Sequence, residues 1–168
     1  MRRGWSLLGS AVFLLLAPGT VAGLVPWWIS GWEMRPQFFP GAPLAGALLL
    51  GLGLAVLLEC FARFALVGLG TPAPVMPTRG LVVTGLYRHV RNPMYLAVTA
   101  IVVGQALILG DARLLVYAAG LWLLFHLFVL AYEEPTLRHS FPEDYEAFFG
   151  NVPRWLPRLR PWRSEKDA

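Results

Sequence analysis

Four stretches of the chain are nearly free of charged residues and long enough to cross a membrane as helices. They cover residues 5–25, 42–61, 93–109 and 114–132. A spanning helix needs about 20 mostly apolar residues, because the hydrocarbon layer is about 30 Å thick and a helix rises about 1.5 Å per residue. The pattern predicts an all-α integral membrane protein with about four transmembrane helices in a single domain, residues 1–168.

The first of these stretches has a second interpretation. Arg2 and Arg3, followed by the apolar run 7–16 and the small residues 20–23, also fit a cleaved signal peptide. Apolar character resumes over residues 24–29, however, which favours a span that stays in the chain.

Two short features place the third and fourth predicted spans side by side. Pro93 suits the first turn of a helix, where its missing N–H has no partner to lose. Gly110 and Asp111 leave room only for a tight turn between the two spans. The spans must then be antiparallel, so the start of one and the end of the other lie at the same membrane face. We therefore expect the segment 91–95 to converge with Glu133.

Glu133 and Glu134 stand directly before Pro135, where the fourth span is expected to end or kink. Two carboxylates at a helix C-terminus face the negative end of its dipole and each other, which is unfavourable without a cation. Arg88 or Arg91 could supply that cation, and so could a cationic ligand. The alternative is that both carboxylates are simply solvated at the membrane boundary.

The second span is rich in small residues at four-residue spacing. The pairs are Ala42 with Gly46, Ala47 with Gly51, and Gly51 with Ala55. Small residues let helix backbones approach closely in lipid, so this span is predicted to pack centrally.

Composition and charge agree with a membrane protein. Hydrophobic residues make up 57% of the chain and charged residues 14%, against about 25% charged in ordinary soluble domains. All but two of the 14 Lys and Arg residues, Arg35 and Arg113, lie at one predicted face. This asymmetry predicts that both termini and the segment 85–96 are cytoplasmic. It also favours a membrane surface over nucleic acid as the partner of the net charge of +4.

Four isolated features have modest interpretations. Cys60 excludes an intramolecular disulfide and is read as a small buried hydrophobe. Glu59 and Arg63 are spaced for a helix ion pair. His126, inside the fourth span, is read as making a neutral interhelical hydrogen bond, although an ionisable residue there is also a functional candidate. Residues 141–149 predict a short amphipathic helix, and the Arg, Trp and Pro of residues 152–162 suit a segment lying on anionic headgroups.

An ordered set of motifs follows the second span. It consists of G-L-V-V-T-G-L-Y at 80–87, R-N-P-M-Y at 91–95, E-E at 133–134 and V-P-R at 152–154. Over about residues 79–157 the chain resembles the isoprenylcysteine carboxyl methyltransferase family and the related membrane phospholipid N-methyltransferases. The resemblance implies an enzyme that transfers a methyl group from S-adenosylmethionine to a lipophilic acceptor at the cytoplasmic membrane boundary.

The resemblance also implies where the cofactor lies: between the linker before the third span, the end of the fourth span and the C-terminal segment. The implied cofactor contacts are Arg79, Gly80, Leu81, Val82, Tyr87, Asn92, Pro93, Met94, Tyr95 and Glu133. The catalytic candidates are His89, Arg91 and Glu134, with His89 the nearest base for an amine or thiol acceptor. Glu59 facing the cofactor is the alternative to its helix ion pair. No metal is expected.

Two departures from the family pattern bear on the acceptor. Asn92 replaces the usual histidine; an amide can hydrogen-bond but does not titrate near neutral pH. Val129 occupies the position of an arginine found in the enzymes that methylate prenylcysteine carboxylates. An amine, thiol or other lipid headgroup is therefore as reasonable an acceptor as an isoprenylcysteine.

Two other functions remain open from the sequence. Membrane sterol reductases resemble the C-terminal region and bind NADPH there, although this chain has no basic cluster dedicated to the extra phosphate. A non-catalytic membrane scaffold with the same fold is the second alternative. The sequence predicts no oligomeric state.

Overall fold

The computed structural model describes residues 16–63 and 83–163, and every regular element in those ranges is helical. Residues 5–15 of the first predicted span lie outside the described residues. So do the implied cofactor contacts Arg79, Gly80, Leu81 and Val82.

The described elements follow the predicted spans closely. In chain order they are a π turn at Thr20–Leu24, α1 at Val25–Ser30, α2 at Ala42–Arg63, a 3₁₀ turn at Gly85–Arg88, α3 at Pro93–Leu109, α4 at Ala112–Phe128, a π turn at Val129–Glu133, α5 at Glu134–Ser140 and α6 at Pro142–Asn151. Within residues 16–63 and 83–163, two helices are long and apolar enough to cross a membrane: α2, and the continuous helix Ala112–Ser140 that α4, its π turn and α5 form together. The apolar helix α3 is shorter, with 17 residues.

Helices α2 and α3 pack with their backbones almost in contact. A Cβ atom added to Gly46 would lie 2.6 Å from the carbonyl oxygen of Gly104, and one added to Gly53 would lie 2.9 Å from that of Ala97. Close backbone packing of the second span is thus confirmed. Its predicted central position is wrong among the described helices, because α2 packs mainly against α3, whereas α3 contacts α2, α4 and the π turn Thr20–Leu24. The contact face contains Gly46 and Gly53, whereas Gly51, which was expected to contribute, faces open space.

The tight turn between α3 and α4 makes the two helices antiparallel, as predicted. Gly110 ends α3 in the left-handed conformation, with φ of 69°. Asp111 caps α4 by accepting a 3.0 Å hydrogen bond from the backbone N–H of Arg113. The same carboxylate pairs with the side chains of Arg35 at 3.2 Å and Arg113 at 2.6 Å. The two arginines separated from the other basic residues therefore share one buried carboxylate.

Each π turn ends two residues before a proline. Thr20–Leu24 precedes Pro26, and Val129–Glu133 precedes Pro135. A proline inside a regular helix clashes with the carbonyl four residues back, and the wider π turn accommodates the ring without ending the helix. The fourth span was expected to end or kink at Pro135. It does not end there, because the helix continues to Ser140. Glu133 and Glu134 consequently lie inside a helix and not at its C-terminus.

Candidate functional site

The beginning of α3 and the π turn after α4 meet, as the tight turn at Gly110 predicted. The hydroxyl of Tyr95 donates a 2.8 Å hydrogen bond to Oε2 of Glu133. One turn earlier, the guanidinium of Arg91 lies 3.1 Å from Oε1 of Glu134. Adjacent glutamates thus point to different partners, because successive residues of a helix are about 100° apart.

Glu134 is held between two arginines. Arg154 donates to both of its oxygens, at 2.6 Å and 3.0 Å, and Arg91 donates to the first. The carboxylate is 7% exposed, and its hydrogen bond with Arg154 raises the pKa of that guanidinium. Of the two cations expected for the glutamates, Arg91 is confirmed. Arg88 instead donates to the carbonyl of Val83.

Tyr87 lies at the centre of the same end of the molecule. Its side chain is buried, and its hydroxyl hydrogen-bonds with the sulfur of Cys60 on α2. Burial, followed by the proximity of Cys60 and Glu133, raises the pKa of the Tyr87 hydroxyl well above its ordinary value. The phenol therefore stays neutral at any physiological pH, and the interpretation of Cys60 as a buried small residue is confirmed.

The remaining implied cofactor contacts, at the start of α3, lie in different surroundings from one another. Asn92 is 5% exposed, and its side-chain amide donates to the carbonyl of Arg154 at 3.3 Å. Pro93 begins α3 and borders an apolar groove. Met94 packs against the hydrophobic core between the helices. The structure does not bring all of these side chains to a single cavity.

Residues 152–163, here called the strap, run across the 88–91 segment in the opposite direction. The backbone N–H of Arg91 donates to Pro153, that of Arg158 to His89 and that of Trp162 to Arg88, each at 2.9 Å. Several side chains of this segment, such as those of Arg154 and Trp155, point inward and have partners within the protein.

The strap also fixes the imidazole of His89. Nδ1 of His89 lies 2.7 Å from the carbonyl oxygen of Arg158. A carbonyl can only accept, so Nδ1 carries the hydrogen, and in the neutral ring Nε2 is left with the lone pair. The second histidine, His126, accepts a 3.0 Å hydrogen bond from the indole of Trp155. The hydrogen bond expected for His126 is thus confirmed, but it is not interhelical, because Trp155 lies on the strap.

Two cavities adjoin the Gly85–Arg88 turn. The larger, of about 700 Å³, is here called the polar cavity because its mixed lining includes the polar side chains Glu59, Arg63, Thr84, Arg88 and His89 beside apolar ones. The smaller, of about 230 Å³, is an apolar groove between α2 and α3. Three residues line both cavities, namely Val56, Leu86 and His89. His89 therefore stands where a polar space meets an apolar one.

The polar cavity contains hydrogen-bonding capacity that the described residues leave unused. Arg63 donates to Oε1 of Glu59 at 2.8 Å, which confirms the predicted ion pair, but Oε2 of Glu59 is buried without a described partner. The hydroxyl of Thr84 is in the same situation. Gly85, with φ of 57°, lies directly over the ion pair, and a Cβ there would collide with the carboxylate.

Comparison with known families decides the class of this protein. The sequence model for phospholipid methyltransferase matches residues 42–144, more than half of the chain. The chain belongs to the phospholipid methyltransferase family. No curated protein and no solved structure matches it. Family membership confirms the resemblance to the phospholipid N-methyltransferases and makes the chain a membrane methyltransferase.

The matched region of this methyltransferase includes the 3₁₀ turn, α3 and both glutamates, but it ends before the strap. The contribution of Arg154 to the Glu134 cluster was not predicted, nor was that of Trp155 to His126. The sequence signals for them were the V-P-R motif at 152–154 and the unusual density of Arg, Trp and Pro after Asn151. Thr84 gave no signal, since a hydroxyl before a glycine is common in turns.

Proposed function

We propose that this methyltransferase transfers a methyl group from S-adenosylmethionine to an amine-bearing or uncharged lipophilic acceptor drawn from the membrane. The observation that carries the proposal is the meeting of the polar cavity and the apolar groove at Val56, Leu86 and His89. A lipid has a polar head joined to apolar chains. The polar cavity suits the head and the adjoining apolar groove suits the chains.

The cofactor is assigned to the group formed by Tyr87, Tyr95 and Glu133. Its amino-acid part carries an ammonium, which a buried carboxylate can pair with, and Glu133 has a second oxygen besides the one bonded to Tyr95. The aromatic faces of the two tyrosines suit a positively charged sulfur. The predicted contacts Asn92, Pro93 and Met94 position this group by starting α3.

S-adenosylmethionine supplies the methyl group on its sulfonium sulfur, and the transfer is an in-line displacement that depends mainly on positioning. An amine acceptor forms the new N–C bond as the C–S bond breaks, and its nitrogen loses a proton. Nε2 of His89 is placed to take that proton, because the carbonyl of Arg158 holds the hydrogen on Nδ1. Arg91 and Glu134, engaged with each other and with Arg154, are positioning residues in this proposal.

The charges near the site argue against a carboxylate acceptor. A carboxylate entering a low-dielectric pocket requires a cation. Arg63, Arg91 and Arg154 are each paired with a glutamate already, and Arg88 donates to the carbonyl of Val83. Val129, which replaces the arginine of the prenylcysteine enzymes, is 1% exposed and belongs to the hydrophobic interior. We therefore expect poor methylation of prenylcysteine.

A tritiated methyl-transfer assay on the full-length protein in lipid tests the acceptor. Phosphatidylethanolamine and a hydrophobic thiol are compared with a farnesylcysteine analogue. Transfer to phosphatidylethanolamine or the thiol is expected. A base-labile methyl ester on the farnesylcysteine analogue alone would overturn the proposed acceptor class. Binding of labelled S-adenosylmethionine, measured against NADPH, tests the cofactor; NADPH binding alone would support a reductase, and binding of neither a scaffold.

Variants distinguish the two parts of the site. His89→Asn keeps a donor for the Arg158 carbonyl but has no basic nitrogen, so kcat should fall while the Kd for S-adenosylmethionine is unchanged. Glu59→Gln should raise KM for an amine acceptor, because it removes the carboxylate that lines the polar cavity and whose Oε2 has no described partner. If Glu59→Gln weakened cofactor binding and Glu133→Gln did not, the two ligands would have to exchange places.

The orientation in the membrane is part of the same proposal. The proposal has four spans, with both termini, the Gly85–Arg88 turn and the cofactor at the cytoplasmic face, and the distribution of basic residues supports this orientation. Single cysteines at Met34 and Glu143, both exposed, test this with a membrane-impermeant reagent. Labelling from outside is expected at position 34 only, and efficient outside labelling at position 143 contradicts the orientation.

A further inference from the structure

The side chains of the strap face two directions, one set toward the rest of the protein and the other outward. Inward, Arg154 binds Glu134, Trp155 packs against His126, and Trp162 packs against Phe148. The outward side chains are Leu156, Leu159, Arg160 and Arg163. Leu156 is 80% exposed and Leu159 97%, although both belong to a segment anchored by backbone hydrogen bonds.

Such exposed leucines beside arginines need a partner that is apolar and anionic at once. Residues 152–163 contain no acidic residue, and the inward arginines, Arg154 and Arg158, are bound to Glu134 and to the carbonyl of Asn151. Arg160 and Arg163 are left on the exposed side together with the leucines. A bilayer with anionic headgroups has this combination, since leucines enter the acyl boundary while arginines remain at the phosphates.

The backbone of the strap is suited to hold these side chains in place. Pro153, Pro157 and Pro161 recur every four residues. Proline fixes φ and removes a backbone donor, so the segment does not coil into a helix and makes only widely spaced backbone hydrogen bonds with the 88–91 segment. The outward side chains and the inward contacts therefore belong to the same short, conformationally restricted segment.

We propose that the strap docks on an anionic bilayer surface through Leu156, Leu159, Arg160 and Arg163, and that docking holds His89 in position. The link is short, because Arg158 donates its N–H to the backbone of His89 and accepts from Nδ1 of the same residue. The docking itself is independent of the reaction. The consequence for turnover rests on the proposed role of His89.

The docking is measured with an environment-sensitive fluorophore on Leu159→Cys in the full-length protein, reconstituted in phosphatidylcholine alone or mixed with phosphatidylglycerol. Native Cys60 is buried and escapes labelling. Emission at position 159 should shift to the blue and be quenched by lipids with a spin label near the headgroup in the mixed bilayer. The shift should weaken in phosphatidylcholine and at high salt, because salt screens the arginines. The matched control is Glu143→Cys on α6, which should report water in both bilayers.

The double variant Arg160→Glu/Arg163→Glu should lower docking strongly, since each basic side chain at an anionic surface contributes about a fivefold preference. In transfer assays, phosphatidylglycerol should raise kcat for the unaltered chain and have no effect on this variant, while cofactor Kd stays the same. An aqueous signal at position 159 in every bilayer overturns the docking. Equal signals in neutral and anionic bilayers overturn its dependence on charge. A shift that appears only at high protein density indicates a second copy as the partner and overturns it too. If docking is confirmed but phosphatidylglycerol does not change kcat, only the link to His89 is overturned.

Discussion

The hydroxyl of Tyr95 and the carboxylate of Glu133 are 38 residues apart in the chain and are joined by a 2.8 Å hydrogen bond, because a tight turn makes their two helices antiparallel. Tyr95 also stacks on Phe125, with ring centroids 4.6 Å apart. The aromatic ring is thereby fixed independently of the hydroxyl, so its hydrogen bond can be removed without loss of packing.

The cofactor site can be tested at this pair. Glu133→Ala should weaken binding of S-adenosylmethionine by roughly 1.5–3 kcal/mol, the loss expected for a hydrogen bond to a charged group. That corresponds to about 10- to 150-fold in Kd. Tyr95→Phe, which keeps the stack on Phe125, should have a smaller effect in the same direction. Equilibrium binding to folded protein decides the matter, and unchanged affinity in Glu133→Ala counts against the assigned site.

The Glu134 cluster should dominate the stability of this end of the molecule. Removing one partner of a buried ion pair leaves a charge without compensation and costs about 3–5 kcal/mol. Glu134→Gln should therefore lower the thermal midpoint strongly. The double variant Glu134→Gln/Arg154→Gln should be less destabilised than the sum of the single changes, because the two charges contact each other. Additive losses would show that the pair is not coupled.

The glycines of α2 give a matched pair of variants. Gly46→Ala places a Cβ 2.6 Å from the backbone of Gly104, so the helices must separate. Overpacking of this kind costs about 1–3 kcal/mol. Gly51→Ala, on the same helix but facing open space, should be neutral or slightly stabilising, because alanine is the better helix former. Unfolding followed by circular dichroism compares them, and equal losses would contradict the close packing at Gly46.

Asp111 predicts a stability that depends on pH. Its hydrogen bond from Arg113 lowers the pKa of the carboxyl below the ordinary value. Asp111 thus contributes stability above the pKa of the unfolded chain, about 4, and loses it as the pH falls through the lower folded value. Asp111→Asn keeps a good helix cap and removes the charge.

At neutral pH, Asp111→Asn should cost only about 1 kcal/mol, because both partner arginines are about half exposed and screened by water. The difference from the unaltered chain should shrink below about pH 4. Thermal unfolding at several pH values measures it. A difference that persists in acid would mean that the charge is not its cause.

The sequence was sufficient for the arrangement of α3 and α4, because a two-residue turn permits only antiparallel neighbours. The approach of Tyr95 to Glu133 followed from that alone. The contact face of α2 was predicted only in part: four-residue spacing indicated both Gly46 and Gly51, but helical rotation brings only one of them to α3. Spacing identifies candidate faces, and the partner helix selects among them.

The strap could not be predicted because its contacts are long-range and irregular. Arg154 reaches back 20 residues to Glu134, and Trp155 reaches back 29 to His126. Neither distance corresponds to a helical or strand period. The mixture of Arg, Trp and Pro indicated an amphipathic segment, but which side chains point inward depends on the 88–91 backbone that the strap crosses.

Because of the π turn before Pro135, deleting a single residue from this helix would disturb the site even though every functional side chain remained in the chain. The extra residue in a π turn rotates everything after it by about 100° relative to a regular helix. Deleting one residue such as Leu130, exposed to the surroundings, would tighten the helix and leave both glutamates in the chain. Either the glutamates or the segment beyond them would then face a new direction, and Glu134 could no longer meet Arg91 and Arg154 while Glu133 meets Tyr95. The number of residues in this helix therefore determines which partner each of the two glutamates contacts.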